Sequence, residues 1–408
     1  MLGAGIVGTS VALHIAKRGA SVALVDRGAA GEGTSYGNAG IIEGNTIFPA
    51  AFPTSLAELV KIALKRSPVA NYHVGFLPHI ASWLAAFRAA SQPQRMIETA
   101  QAMRPLFSRA VAEHETLAVE AGAERYLNRG GWLKLYRTAK AFSALQPEFE
   151  LAARFGIANV PLDRAGALRL EPALGGVFQR AVHWSGAVSV SNPLALTRAY
   201  AARFAALGGL MLTGDARTLH RADSRWRVET ASGPLDAADV VIALGPWAPD
   251  LLGPLGVKLP FAVKRGYHRH YRAVGNAALG RPVLDAENGY VLAPMEQGIR
   301  MTTGVEFAAR DAPPTPVQFD RILPAARALF PLGDAVEPQP WLGARPCLPD
   351  SRPVLGRVPR HAGLWLAIGH AHWGLTLGPV TGRLIAEMMS GATPFCDPVP
   401  YGLDRFVA

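Results

Sequence analysis

The chain has 408 residues, half of them hydrophobic and 18% charged, with a formal net charge of +10. That length buries a large core and suggests two domains, and the composition excludes a disordered chain. The arginine-rich charge is scattered, with no zinc-knuckle spacing and no basic helix, which argues against nucleic acid and leaves a solvated basic surface or affinity for anionic lipid or acidic partners.

The first element is a glycine turn, Gly3-Ala4-Gly5-Ile6-Val7-Gly8. In such a turn the first glycine bends strand into helix, the second admits a pyrophosphate and the third lets the helix pack on the sheet. The helix N-terminus then offers N–H groups and a positive dipole end to the phosphates. The helix runs to Lys17-Arg18-Gly19, and Ser21–Val25 reads as a buried parallel strand. Asp26 ends that strand 18 residues after Gly8, where an acid bonds ribose hydroxyls. A strand of about five residues normally precedes this turn. Only Met1 and Leu2 stand there, so either neighbouring strands compensate or residues upstream of Met1 complete the strand. The turn suits NAD and FAD alike. Gly33-Thr34-Ser35-Tyr36-Gly37-Asn38-Ala39-Gly40 follows, either a loop that approaches a flavin or a plain polar loop.

From Thr46 to about Glu124 the pattern is mostly helical. Ile80, Trp83, Leu84 and Phe87 form one apolar stripe, for core packing or to shield a pocket or meet a membrane. Gly130–Tyr136 alternates as a strand. Ser191-Asn192-Pro193 starts a helix that Gly208-Gly209 stops. The strand Leu210–Thr213, a hairpin around Ser232-Gly233 and the buried strand Asp239–Gly245 complete the second half of a doubly wound domain. Tyr267–Arg272, Tyr290–Ala293 and Arg300–Val305 read as a separate antiparallel sheet. Leu364–Ile368 is a buried strand, and the turn Gly369-His370-Ala371-His372-Trp373-Gly374 feeds a helix from Leu375 to Ser390, its N-terminus suited to an anionic flavin ring. Cys347 and Cys396 form no metal-ligand spacing and fit a reducing, cytosolic setting, and no metal site is expected. No apolar run reaches about 18 residues, so a spanning helix is not expected.

Taken in order, these motifs resemble the FAD-dependent D-amino acid dehydrogenases, within the larger D-amino acid oxidase, glycine oxidase and sarcosine oxidase group. The motifs are Gly3–Gly8 with Asp26, Ser35–Gly40, Val241–Ala248, Arg265-Gly266-Tyr267-His268, Gly343–Asp350 and Gly369-His370 through the last helix. The resemblance covers essentially the full length. It departs at Asn192, usually acidic in the dehydrogenases, and at Asp26, more often Glu. Some sarcosine oxidases hold flavin through a cysteine, but Cys347 lies only three residues before Asp350, too close for that role.

The resemblance implies an α/β fold: a doubly wound parallel-sheet FAD-binding domain (residues 1–50, 185–255 and 341–408) with an inserted α+β antiparallel-sheet substrate domain (51–184 and 256–340). It implies non-covalent FAD on Gly3, Gly5, Ile6, Val7, Gly8, Asp26, Arg27, Ser35, Asn38, Ala39, Gly40, Ala243, Gly245, Trp247, Gly369, His370, Gly374, Leu375 and Thr376. The implied reaction, in bacterial amino acid catabolism, is oxidative deamination of a D-amino acid with electrons passed to a quinone or other acceptor. The enzyme would be cytoplasmic, with peripheral contact at the inner membrane face as a variant. Alternatives are an oxygen-using oxidase of glycine, sarcosine or a cyclic imino acid such as D-hydroxyproline, and a catalytically idle or truncated flavoprotein. Arg345 is the first choice for the substrate carboxylate, because a guanidinium offers a planar fork of donors. Tyr267, His268 and His370 are further candidates at the reacting centre, His372 a weaker one, and Arg300 an alternative carboxylate clamp.

Overall fold

The computed structural model describes residues 1–45 and 48–406, so the expected start of the helical stretch at Thr46 lies outside the described residues. Its first layer is a mostly parallel sheet. Leu210–Thr213 pairs in parallel with Ala23–Asp26, and Val240–Ile242 with Leu364–Ile368, beyond which Val354–Arg357 is antiparallel. Leu2 joins the two halves. Its N–H donates to Val241 O, its carbonyl accepts from Ala243 N–H, and it bridges to Val25 on the other side.

Helices Ile6–Ala16, Pro193–Ala206 and Gly374–Ser390 cover one face of this sheet. The first begins where Ser35 Oγ accepts from Ile6 N–H at 2.9 Å. The second is capped as its sequence suggests, with Asn192 accepting from Ala195 N–H and Pro193 in the first turn. The third ends at Gly391, whose φ of 71° closes the helix in the left-handed region. On the other face pack the meander His220–Ala222, Arg225–Thr230 and Gly233–Ala237 and the short helix Ala248–Leu252. The 28-residue helix Pro93–Glu120 falls within the stretch expected for the substrate domain. It instead buries Phe107, Ala110 and Leu117 with the cofactor-side helices, because its apolar face matches theirs.

The second layer is an eleven-stranded mixed sheet among the described residues. At its centre is Ala262–Ala273, longer than expected, flanked by Gly298–Thr302 and by Trp341–Cys347. The expected Arg300–Val305 strand is interrupted, pairing resuming at Val305–Phe307. Arg345, expected in a turn, lies on a strand. Pro346 is tolerated there because the other edge of Trp341–Cys347 carries only the isolated Cys347–His370 bridge, where Pro346 offers its carbonyl and needs no N–H. Successive residues of a strand face opposite sides. Tyr267 and Tyr271 therefore join the core under helix Val317–Leu329, while Lys264, Gly266 and His268 face the other way. The stripe of Ile80, Trp83 and Phe87 packs against Ala262, Cys347 and Ala371.

Candidate active site

One cavity of about 1170 Å³ runs between the two layers. It exceeds the upper end of ordinary small-molecule pockets, about 1,000 Å³, as an extended dinucleotide requires.

At the parallel sheet the cavity is lined by Gly3, Gly5, Ile6, Val7, Asp26 and Arg27. Gly3 adopts φ 101°, and a Cβ there would run into the Ala243 carbonyl, so glycine is required twice over. Gly8 does not line the cavity; it packs its Cα against the Gly3 carbonyl. Asp26 accepts from Ala4 N–H at 2.6 Å and Gly28 N–H at 3.0 Å, which fixes its carboxylate at the strand end with lone pairs to spare. Ala243, Gly245 and Trp247 line the same end, and the Arg27 guanidinium lies 4.6 Å from the Trp247 ring centroid.

Ser35, Asn38 and Ala39 line the middle of the cavity. Asn38 ties this loop to the last turn by donating to His372 O at 3.2 Å, while its own oxygen accepts from Gly40 N–H. Gly40 sits against the Val190 carbonyl, away from the cavity surface. Gly374 and Leu375 bring the N-terminus of the last helix to the cavity, with no acidic residue in its first turn to compete with an anion. Thr376 is buried behind them, donating to Ile41 O and accepting from Glu43 N–H, and Gly369 is likewise set back.

Between these glycines, Ala371 takes φ 50°, uncommon for a residue with a Cβ, and its N–H is held by Pro346 O. The two histidines beside it diverge. His370 also forms part of the cavity wall but is buried, shares a hydrogen bond with Thr381 Oγ1 at 3.0 Å, and burial pushes its pKa down to about 3. His372 fronts the cavity. Its ring is open to that space yet enclosed by protein, and the enclosure governs its proton: desolvation, then the Arg345 and Lys264 charges, push it down to about 3. Both rings are neutral at physiological pH.

At the antiparallel sheet the dominant group is Arg345. Its guanidinium donates to Gly304 O at 2.9 Å and Thr303 O at 3.4 Å and lies across Gly266, where a side chain would collide with it. Burial lowers its pKa and no carboxylate acts on it, so its remaining donors are available to an anion in the cavity. Lys264, which the sequence reading passed over, stands directly opposite Arg345 and also lines the cavity. An alternation count back from Gly266 would have found it.

Of the other candidates, Tyr267 contributes to the cavity wall, whereas His268 and Arg300 do not. The Tyr267 hydroxyl donates to Glu306 and accepts from Arg265 and from Thr315 N–H, so its capacity is used on the far face of the sheet. His268 is 1% exposed and stacked on Trp341 at 4.9 Å, with Tyr36 against its edge. Burial, then the Arg300 and His270 charges, push its pKa down to about 2, against an opposing pull from the Gly37 backbone. Arg300 is committed to Tyr36 O, Asn38 O and His270 Nε2. It braces the cofactor loop and does not line the cavity.

These surroundings fit FAD. Two helix N-termini, a strand-end carboxylate and a glycine cradle that a Cβ would fill meet in one long cavity that also holds an unneutralised guanidinium. Among the described residues no group of three or more His, Cys, Asp or Glu side chains has the geometry to hold a metal ion.

The family model described as FAD dependent oxidoreductase, DAO, matches residues 2–388. A D-amino acid dehydrogenase of Paramagnetospirillum magneticum is 31% identical, covering 100% of this chain and 98% of its own. A glycine oxidase of Pseudomonas aeruginosa is 28% identical over 98% and 97% of the two chains. Among solved structures, glycine oxidase from Geobacillus kaustophilus superposes with a TM-score of 0.75 at 25% identity, covering 100% of this chain and 98% of that one.

Proposed function

The chain belongs to the DAO family of FAD-dependent oxidoreductases, and from that premise we propose that it oxidises a D-amino acid at Cα to the imine, which water hydrolyses to the 2-oxo acid and ammonia. Bound FAD supplies the acceptance of a hydride, and with it the two electrons. The observation that carries the proposal is Arg345: a half-buried guanidinium facing the cavity, without a carboxylate partner among the described residues, in the same cavity as the dinucleotide cradle.

Gly3, Gly5, Asp26, Ser35 and the turn before the last helix hold the cofactor. Arg345 binds the substrate carboxylate through its free edge, its other edge fixed by Thr303 O and Gly304 O. Fixing the carboxylate orients Cα, which converts affinity into a reactive geometry. His372, neutral beside two cations, accepts or donates a hydrogen bond without bringing a third charge. No side chain is needed as a base if the amine enters unprotonated, and among the described residues no acid–base pair lines this end of the cavity.

The electron acceptor in this reading is a quinone or similar carrier. The helix Leu56–Ala63 has no buried residue, and Leu56, Val60 and Leu64 form an exposed apolar stripe beside Lys61 and Lys65. Such a face favours peripheral contact with an anionic membrane surface, where a lipid-soluble acceptor resides. It supports a cytoplasmic enzyme at the inner membrane face. Among the described residues no helix is long and apolar enough to cross a membrane.

A second reading, oxidation of glycine or another small amine with oxygen as acceptor, is favoured by the likeness to glycine oxidases. Turnover in air separates the two. Reduction of a quinone analogue without peroxide supports the dehydrogenase, and stoichiometric peroxide supports the oxidase.

A further inference from the structure

If an amino acid is oxidised in this cavity, the site holds one cation more than an α-carboxylate needs. Lys264 and Arg345 are register partners on adjacent strands, so their side chains leave one face of the sheet side by side, with Cβ atoms about 5 Å apart. Both line the cavity. Both are half-buried in the cavity wall, where a cation normally comes with an acidic partner, and among the described residues neither has one. The charges felt by Lys264 are those of Cys347 and Arg345, and by Arg345 that of Cys347. Cys347 is buried, which pushes its thiol up and keeps it neutral. The Lys264 ammonium donates no hydrogen bond to any described residue. It lies 4.0 Å from the Phe87 ring centroid and 4.9 Å from that of Trp83, which hold the cation in place but leave its protons free. His372, facing both cations, is neutral and does not offset them.

This end of the cavity is lined by a different sheet from the glycine cradle, which has its own donors for phosphate. Two neighbouring cations without counter-ions are matched by a small molecule carrying two negative groups. We propose that Lys264, side by side with Arg345 on the cavity face of the substrate sheet, binds a second carboxylate of the substrate. The preferred substrate is then an amino or imino acid with two carboxylates, one held by the Arg345 fork and the other by the Lys264 point charge. This inference rests on the amino acid reading above.

The test is equilibrium titration of the oxidised holoenzyme, followed by the flavin absorbance, with succinate and with butyrate. These have the same chain length and differ by one carboxylate, and neither is an amine to be oxidised. The wild type binds succinate at least tenfold more tightly than butyrate. In Lys264→Met, which keeps the stem and removes the charge, that ratio falls to within about threefold of unity, and in Lys264→Arg a preference for succinate persists. Equal affinity in the wild type overturns the proposal, as does an undiminished ratio in Lys264→Met. If Lys264→Met releases FAD while its loaded fraction keeps the ratio, the lysine serves the cofactor and the proposal also fails. The wild-type ligand pair decides the matter even if a variant does not fold. Because the ratio needs no turnover, its failure is distinguishable from failure of the amino acid reading, which flavin reduction tests separately.

Discussion

The Arg345 guanidinium lies flat on the backbone of Gly266, so that a Cβ built there would stand 2.7 Å from Arg345 Cζ. Gly266 does not have a left-handed φ. It is glycine here because a cation must cross it to reach the carbonyls of Thr303 and Gly304. Gly266→Ala therefore displaces the guanidinium without unfolding the strand. Expected is at least a tenfold loss of kcat/KM on the best amino acid, with FAD content unchanged, measured by steady-state kinetics and flavin absorbance. Unaltered kinetics would mean that the guanidinium has room to shift without consequence.

Arg345→Lys keeps the charge and removes the fork. Losing a charge-assisted bidentate contact costs about 1.5–3 kcal/mol, which is roughly 10- to 150-fold in kcat/KM. Steady-state kinetics that change by less than about twofold would remove Arg345 from carboxylate binding.

Arg300 gives the opposite pattern. Its bonds to Tyr36 O and Asn38 O shape the loop that carries Ser35 and Asn38. Arg300→Gln is expected to weaken FAD retention on dialysis, with the reloaded enzyme keeping its order of preference among substrates. A raised KM with FAD held as tightly as in the wild type would make Arg300 a substrate clamp instead.

Ser35→Ala removes the oxygen that accepts from Ile6 N–H at the start of the phosphate-facing helix. Losing such a cap costs about 1 kcal/mol. The apoprotein is expected to melt a few degrees lower and to bind FAD several-fold more weakly, as read by thermal melts and FAD titration. Melting and affinity equal to wild type would show that the cap is replaced by other groups.

The legible part of the sequence was the part whose chemistry is local. A turn, its strand-end acid, and an Asn-Pro helix start each declare themselves within a few residues, as Gly3, Asp26 and Asn192 do. Non-local geometry was hidden. Tyr267 and His268 adjoin Gly266 in the chain, yet alternation turns Tyr267 to the far face, and Trp341, 73 positions from His268 in sequence, covers that histidine. Lys264 carries only a weak local signal, the alternation back from Gly266, and its pairing with Arg345 is non-local. Nothing local distinguishes the two histidines of the last turn, His370 and His372. The left-handed Ala371 between them sends His370 toward Thr381 and leaves His372 fronting the cavity.

Stability falls on mild acidification. His14, His114 and His370 are buried, and desolvation pushes their pKa values to about 3, 4 and 3. The native state keeps them neutral, while the unfolded chain protonates them below about 6.5. Their contribution is complete above that pH and is lost as pH falls toward 4, at up to about 1.4 kcal/mol per pH unit for each histidine. The denaturation midpoint is expected to drop steadily between pH 6.5 and 5, with a shallower slope in His114→Gln. A midpoint flat across that range would mean that these rings are protonated in the folded protein.

Anaerobic titration of the oxidised holoenzyme with D- and L-amino acids, glycine and sarcosine tests the central claim most directly. The expected result is stoichiometric bleaching of the flavin absorbance by a D-amino acid, with the 2-oxo acid recovered, and bleaching by the same compound lost or slowed at least tenfold in Arg345→Lys. A flavin that no amino acid bleaches, or one bleached equally well in Arg345→Lys, would contradict it.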